Sequence, residues 1–176
     1  MNTSPTVHTL LLQRNGWVPN NPRLPVLIYP AAVAIVGDDP AALFEATFRA
    51  HGWPPQWRDG VYAYHHYHTE GHEVLGIAAG HARLMLGGPH GHELEVRAGD
   101  VLLLPAGIGH CNLAASADFL VVGAYPPGQR ADIRRQAPTP AQQKTIEALP
   151  FPDRDPVQGA MGALQQHWAE HGEAAR

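Results

Sequence analysis

Between Gly60 and Tyr125 the chain is cut into short apolar segments separated by glycines, and this rhythm limits the fold more than any other feature of the sequence. Val61-Tyr-Ala-Tyr, Val74-Leu-Gly-Ile, Ala82-Arg-Leu-Met-Leu, Val101-Leu-Leu-Leu and Phe119-Leu-Val-Val have the length and side-chain content of strands. Gly87-Gly88-Pro89-His90-Gly91-His92, between two of them, has the composition of a hairpin loop. The 176 residues include 18 Gly and 17 Pro, punctuation that suits many short strands and suits a helix bundle poorly. The chain reads as all-β: a sandwich, barrel or jelly roll.

The flanks add a few other elements. Val7–Leu12 and Val26–Tyr29 read as strands, with turn material from Trp17 to Pro22 between them. Asp38-Asp39-Pro40 supplies an N-cap and a first-turn proline, which predicts a short amphipathic helix over 40–51. Thr139-Pro140-Ala141-Gln142 has the residues of a capping box. Val157, Met161, Leu164 and Trp168 fall on one face of a further helix, expected to pack against the barrel. The intervening Leu149-Pro-Phe-Pro-Asp-Arg-Asp-Pro is expected to run extended over the surface. A length of 176 residues with 44% hydrophobic side chains supports one domain with a proper core. Within it, 1–59 forms N-terminal strands and a helix on the barrel, 60–127 the barrel with the site, and 128–176 an extended segment and helix.

Charge and cysteine content narrow the partners. The net charge is −4 and there is no basic run, so the electrostatic footprint of a nucleic-acid binder is missing. Arg134-Arg135, flanked by Asp132 and Gln136, reads as solvated surface. No apolar run approaches the roughly 18 residues of a membrane span, and MNTSPTVHTLLLQRNGW lacks the pattern of a signal peptide. Cys111 is the single cysteine, which excludes an internal disulfide and fits a reducing, cytoplasmic setting.

Seven of the twelve histidines lie between positions 65 and 92. His66 and His68, two apart on an extended segment, present their imidazoles to one side. Glu73 follows after a possible turn at Thr69-Glu70-Gly71-His72, and His110 arrives just beyond Leu104-Pro105-Ala106-Gly107. Three neutral nitrogens and one carboxylate suit one divalent ion: Fe, Mn, Ni, Co, Cu or Zn. Tyr64 and Asn112 share strand parity with His66 and His110 and are candidates for contacts to a substrate or to the ligands. His72, beside Glu73, is a candidate supporting residue or alternate ligand. His65 and Cys111 have the opposite parity and read as structural, while His81, His90 and His92 read as exposed.

Gly60-x5-His66-x-His68-x4-Glu73-x6-Gly80 and Gly99-x5-Pro105-x-Gly107-x2-His110 together resemble the paired motifs of the cupins. The second motif departs at Ala114, where the family usually carries Asn. Asn15-Gly-Trp-Val-Pro-Asn-Asn, His65-His-Tyr-His, His72-Glu-Val-Leu-Gly, Phe119-Leu-Val-Val-Gly-Ala-Tyr-Pro and Asp155-Pro-Val extend the likeness to the bacterial YjlB-like cupins. The resemblance implies a double-stranded β-helix, a jelly-roll barrel with the metal near one mouth, and His66, His68, Glu73 and His110 as its ligands. The function expected of such a site is a mononuclear metal-dependent oxygenase or related oxidoreductase acting on a small organic molecule, with Glu73 able to serve as a base. The alternatives are a metal-dependent isomerase, epimerase or lyase, and a non-catalytic module binding a small ligand or metal. An N-terminal strand outside the barrel is a possible pairing edge for a homodimer.

Overall fold

Strands whose two faces are both covered lose polar alternation, and the central strands of this chain show it. The structure, a computed structural model, describes residues 6–169. Its nine strands are β1 (His8–Leu12), β2 (Asn21–Tyr29), β3 (Pro55–Asp59), β4 (Glu73–Ala79), β5 (His81–Leu86), β6 (His92–Arg97), β7 (Val101–Leu104), β8 (His110–Ala115) and β9 (Leu120–Ala124). The helices are α1 (Pro40–Ala50), α2 (Pro140–Ala148) and α3 (Ala163–His167).

Six strands form one sheet in the order β1-β2-β7-β4-β9-β3, and three form a second in the order β6-β5-β8. Every pairing is antiparallel. The extended segment around His66 lies against β8 through a bridge to His110, each residue's N–H reaching the other's carbonyl at 3.2 and 2.9 Å. With β4 on β9, β5 on β8 and this segment on β8, the chain folds back on itself in the nested pairing of a jelly roll. The fold is all-β, as the short-strand rhythm predicts.

Between the sheets lies a core built from Leu75, Ile77, Leu84, Leu86, Leu102 and Val121. On the outer face of the large sheet, Phe44 and Phe48 of α1, with Trp53, Leu164 and Trp168, cover Val74, Leu103 and Val122. Burying β4 on both sides explains its unbroken apolar run. Gly76 permits the close approach of α1, because a Cβ there would stand 2.3 Å from the Phe44 ring.

Several local expectations are corrected. Val61–Tyr64 forms no strand; its tie to the barrel is the Asn112 N–H donated to the Tyr62 carbonyl at 2.9 Å. Asp39 precedes α1 but makes no cap bond, because its carboxylate pairs with Arg58 at 3.0 Å. The stripe from Val157 to Trp168 is not one helix: Met161 is 90% exposed and α3 holds five residues. The cause is Asp155, which is buried and organises a turn instead. Its carboxylate accepts from the Tyr29 hydroxyl (2.7 Å) and from the N–H groups of Val157, Gln158 and Leu164 (2.8, 2.8 and 3.0 Å). The segment from Leu149 therefore dives inward at its end instead of running over the surface. The Thr139 capping box of α2 is present as read.

Candidate metal centre

The site sits where three stretches of backbone converge at one mouth of the barrel. His66 and His68 lie on the extended segment beside β8, Glu73 opens β4, and His110 opens β8. Strand parity aims Glu73 inward with Leu75 and Ile77, and the pairing of His110 with Leu86 aims that imidazole the same way. All four residues are buried. The ligand atoms of His66, His68 and His110 lie within 4.8 Å of one another, and this triad can hold a metal ion. Glu73 Oε2 stands 3.2 Å from Nε2 of both His68 and His110.

The backbone fixes the tautomers. Nδ1 of His66 faces the Tyr64 carbonyl at 3.0 Å, that of His68 the Asp132 carbonyl at 2.7 Å, and that of His110 the Ile108 carbonyl at 3.0 Å. A carbonyl only accepts, so each Nδ1 carries the hydrogen and each Nε2 presents a lone pair. Three nitrogen lone pairs and a carboxylate oxygen then point into one small volume, an arrangement completed by a cation. The donor set fits a borderline divalent metal.

Without a metal, protons take part of that role. Burial, reinforced by His110, pushes the His66 imidazole down to about 3, so it is neutral at any physiological pH. Burial also works to lower His68, but the Glu73 carboxylate outweighs it and the His68 pKa is raised. Burial would raise Glu73; His68 and His110 overcome it and hold the carboxyl well below its usual range.

Three residues that the sequence does not single out complete the site. Tyr125 donates its hydroxyl hydrogen to Glu73 Oε1 at 2.5 Å and receives the Trp57 indole N–H at 2.9 Å. The signal for Tyr125 is register: Val74 pairs with Ala124, which sets the next residue of each strand, Glu73 and Tyr125, across from one another. Asp132 accepts from the N–H of Thr69 (2.8 Å), the N–H of Glu70 (2.9 Å) and the Thr69 hydroxyl (2.5 Å). It thereby shapes the turn between His68 and Glu73 while its own carbonyl orients His68. Nothing local in the sequence marks it, because it acts across more than 60 residues.

A cavity of about 430 Å³ opens above the triad, with Trp57, Val61, Tyr62, Leu75 and Ile133 among its walls. The weaker candidates fall outside this lining. Tyr64 stacks on Tyr62 at 4.8 Å and lies under the Arg135 guanidinium at 3.9 Å. Asn112 is half-buried, and its Oδ1 has no hydrogen-bond partner among the described residues. His72 is wholly buried, with Nδ1 accepting from the Ala106 N–H at 2.9 Å and Nε2 facing the Leu149 carbonyl at 3.2 Å. Both its nitrogens are engaged away from the triad, against the reading of it as an alternate ligand. His65 has a ring nitrogen 3.8 Å from the Cys111 sulfur.

No family model matches the chain. It is 34% identical over 164 residues to the uncharacterized protein YjlB of Bacillus subtilis (strain 168), covering 92% of this chain and 96% of that one. Among solved structures, Streptomyces albus HEPD with 2-hydroxyethylphosphonate and Fe(II) bound matches at 12% identity and a TM-score of 0.27. That match covers 75% of this chain and 22% of the other, so the chain spans about a fifth of that protein's length, and a likeness of that size bears on neither fold nor chemistry. With a third of its residues identical to YjlB along almost the full length of both, and with a jelly-roll barrel around a histidine triad, the chain belongs to the YjlB family of cupin-fold proteins.

Proposed function

We propose that the protein is a mononuclear metal-dependent oxygenase or related oxidoreductase acting on a small organic molecule, with His66, His68, Glu73 and His110 as the ligands of one divalent ion. One observation carries the reading: three imidazoles with hydrogen-fixed tautomers and one carboxylate converge at the floor of a cavity large enough for a small substrate. A redox-active divalent ion there would supply open coordination positions and a path for electrons. The chain's own residues would do the rest. The three backbone carbonyls orient the imidazoles, and Tyr125 holds one Glu73 oxygen so that the other faces the triad. Trp57, Val61, Leu75 and Ile133 keep the space above it largely apolar and limit water. Both Glu73 oxygens are engaged, which supports a ligand role over that of a free base.

A homodimer and a cytoplasmic setting are part of the same proposal. The outer edge of β1 pairs with no strand among the described residues, and Cys111 is a buried free thiol. Light scattering would test the first, with twice the 19.0 kDa chain mass expected.

The test of function is elemental analysis of protein purified without added metal or a histidine tag, beside a His66→Ala/His110→Ala variant. Near one equivalent of Fe, Mn, Ni or Cu, lost in the variant, with O₂ uptake on a substrate screen, is the expected result. Zinc instead would favour isomerase or lyase chemistry. No metal in either sample and none taken up on titration would sink the metalloenzyme reading.

A further inference from the structure

We infer that Asn20, just before β2, is a positioning residue of the proposed metal centre: it holds the peptide unit that aims the His110 imidazole. Nδ1 of His110 donates to the Ile108 carbonyl at 3.0 Å. That carbonyl belongs to the same planar peptide unit as the Gly109 N–H. The Gly109 N–H in turn donates to Oδ1 of Asn20 at 3.0 Å, 89 residues away in sequence. Across a trans peptide the C=O and N–H point in opposite directions, so a bond fixed on one side sets the direction of the other. Asn20 thus reaches the imidazole through one peptide unit.

Its surroundings leave Asn20 a single arrangement. It is 1% exposed, with φ at 49°, in the left-handed region that asparagine enters more readily than most residues. Nδ2 donates to the carbonyls of Gln13 and Gly87 at 2.9 and 3.1 Å, which turns Oδ1 onto Gly109. Gly87 also donates its N–H to the Gly109 carbonyl at 2.7 Å, so Gly109 is gripped from both sides. Two glycines let the loop lie this close. A Cβ on Gly107 would stand 2.4 Å from the Asn20 carbonyl, and one on Gly109 2.6 Å from Val18 Cγ1. The stretch that reads in the sequence as turn material is therefore the seat of the loop that delivers His110.

Asn21 gives the contrast. Its Nδ2 donates to the Ala106 carbonyl at 3.1 Å, and its Oδ1 accepts from the N–H groups of Arg23 and Leu24 at 3.2 and 2.9 Å. It holds the same loop with as many bonds, but the 106–107 peptide bonds no imidazole among the described residues.

The inference rests on reading His66, His68, Glu73 and His110 as metal ligands. Its test is titration of metal-stripped, full-length protein with Co(II), whose d–d bands report coordination geometry, beside urea titrations of the same samples. Asn20→Gly keeps the backbone conformation and removes the acceptor. It is expected to bind Co(II) about tenfold more weakly, with altered bands, the lower end of what a ligand's supporting partner contributes. Asn21→Ala should lose stability while its Kd and bands overlay those of the wild type. A second measurement needs no substitution. If the Asn20 bond tightens metal binding about tenfold, metal binding tightens that bond equally. Zn(II) should then slow amide exchange at Gly109 about tenfold more than at Leu24, the amide that Asn21 holds. An Asn20→Gly titration equal to the wild type, an Asn21→Ala variant weakened as much, or equal slowing at the two amides would overturn the inference and leave the metal reading standing. No Co(II) held by the wild type would sink the metal reading, and this inference with it.

Discussion

His72 ties two loops together and is neutral in doing so. Its Nδ1 accepts from Ala106 in the loop before His110, so Nε2 must donate to Leu149 in the C-terminal segment. Burial pushes its pKa from 6.5 down to about 4. The unfolded chain takes up this proton near 6.5 and the folded chain only near 4, so the contribution to stability is complete above pH 6.5 and is lost as pH falls toward 4. The shift corresponds to about 3 kcal/mol. Thermal melts of metal-free protein between pH 7.5 and 4.5 should show a fall in Tm, smaller in His72→Asn, which keeps an acceptor for Ala106. Tyr125 offers a second test at this scale. Tyr125→Phe removes the bond that orients Glu73, and metal-buffered titration should show affinity about ten- to a hundredfold weaker. A titration overlaying the wild type would mean that Glu73 needs no such partner.

Two glycines show how elements reach the site. Gly76 of β4 admits Phe44 of α1, and Gly123 of β9 admits the Trp57 indole. Gly76→Ala overpacks the helix–sheet contact and should cost about 1–3 kcal/mol of stability in urea titrations while leaving metal affinity intact. Gly123→Ala displaces Trp57, and through it Tyr125, so metal affinity should fall together with stability. If both variants lost stability alone, the Trp57–Tyr125–Glu73 chain would have no bearing on the centre. The turn from His68 to Glu73 depends on remote support in the same way: Gly71 lies against the Arg130 carbonyl, where a Cβ would be 2.6 Å away, and Asp132 grips the turn's N–H groups.

For the whole molecule, the proposed metal centre would join the two sheets, with Glu73 on the large one and His110 on the small one. An ion bound only by the folded chain at a hundred times its Kd adds about 2.7 kcal/mol, roughly 5–10 °C for a chain of this size. Chelation should lower Tm by that amount, and the His66→Ala/His110→Ala variant should not respond to chelator. Affinity should also depend on pH. The raised His68 pKa means that a proton competes with the ion, so affinity should fall by about tenfold per pH unit below that pKa.

The sequence alone pointed to the all-β class, to six of the nine described strands and to the cluster of His66, His68, Glu73 and His110, but it marked no strand at β3, β6 or β8. Glycine punctuation, strand parity and the two-apart histidines act over a few residues, and so can be read without a fold. Only the tertiary structure decided the rest. Tyr125 meets Glu73 through the register of β4 and β9, Trp57 reaches Tyr125 across Gly123, and Asp132 shapes a turn more than 60 residues away. The helical spacing from Val157 to Trp168 gave way to a turn because four donors converge on the buried Asp155, one of them from Tyr29 on β2. In the first three cases the deciding contact joins residues distant in sequence, whose meeting no local pattern encodes; at Asp155 three donors are local and the remote one is the Tyr29 hydroxyl.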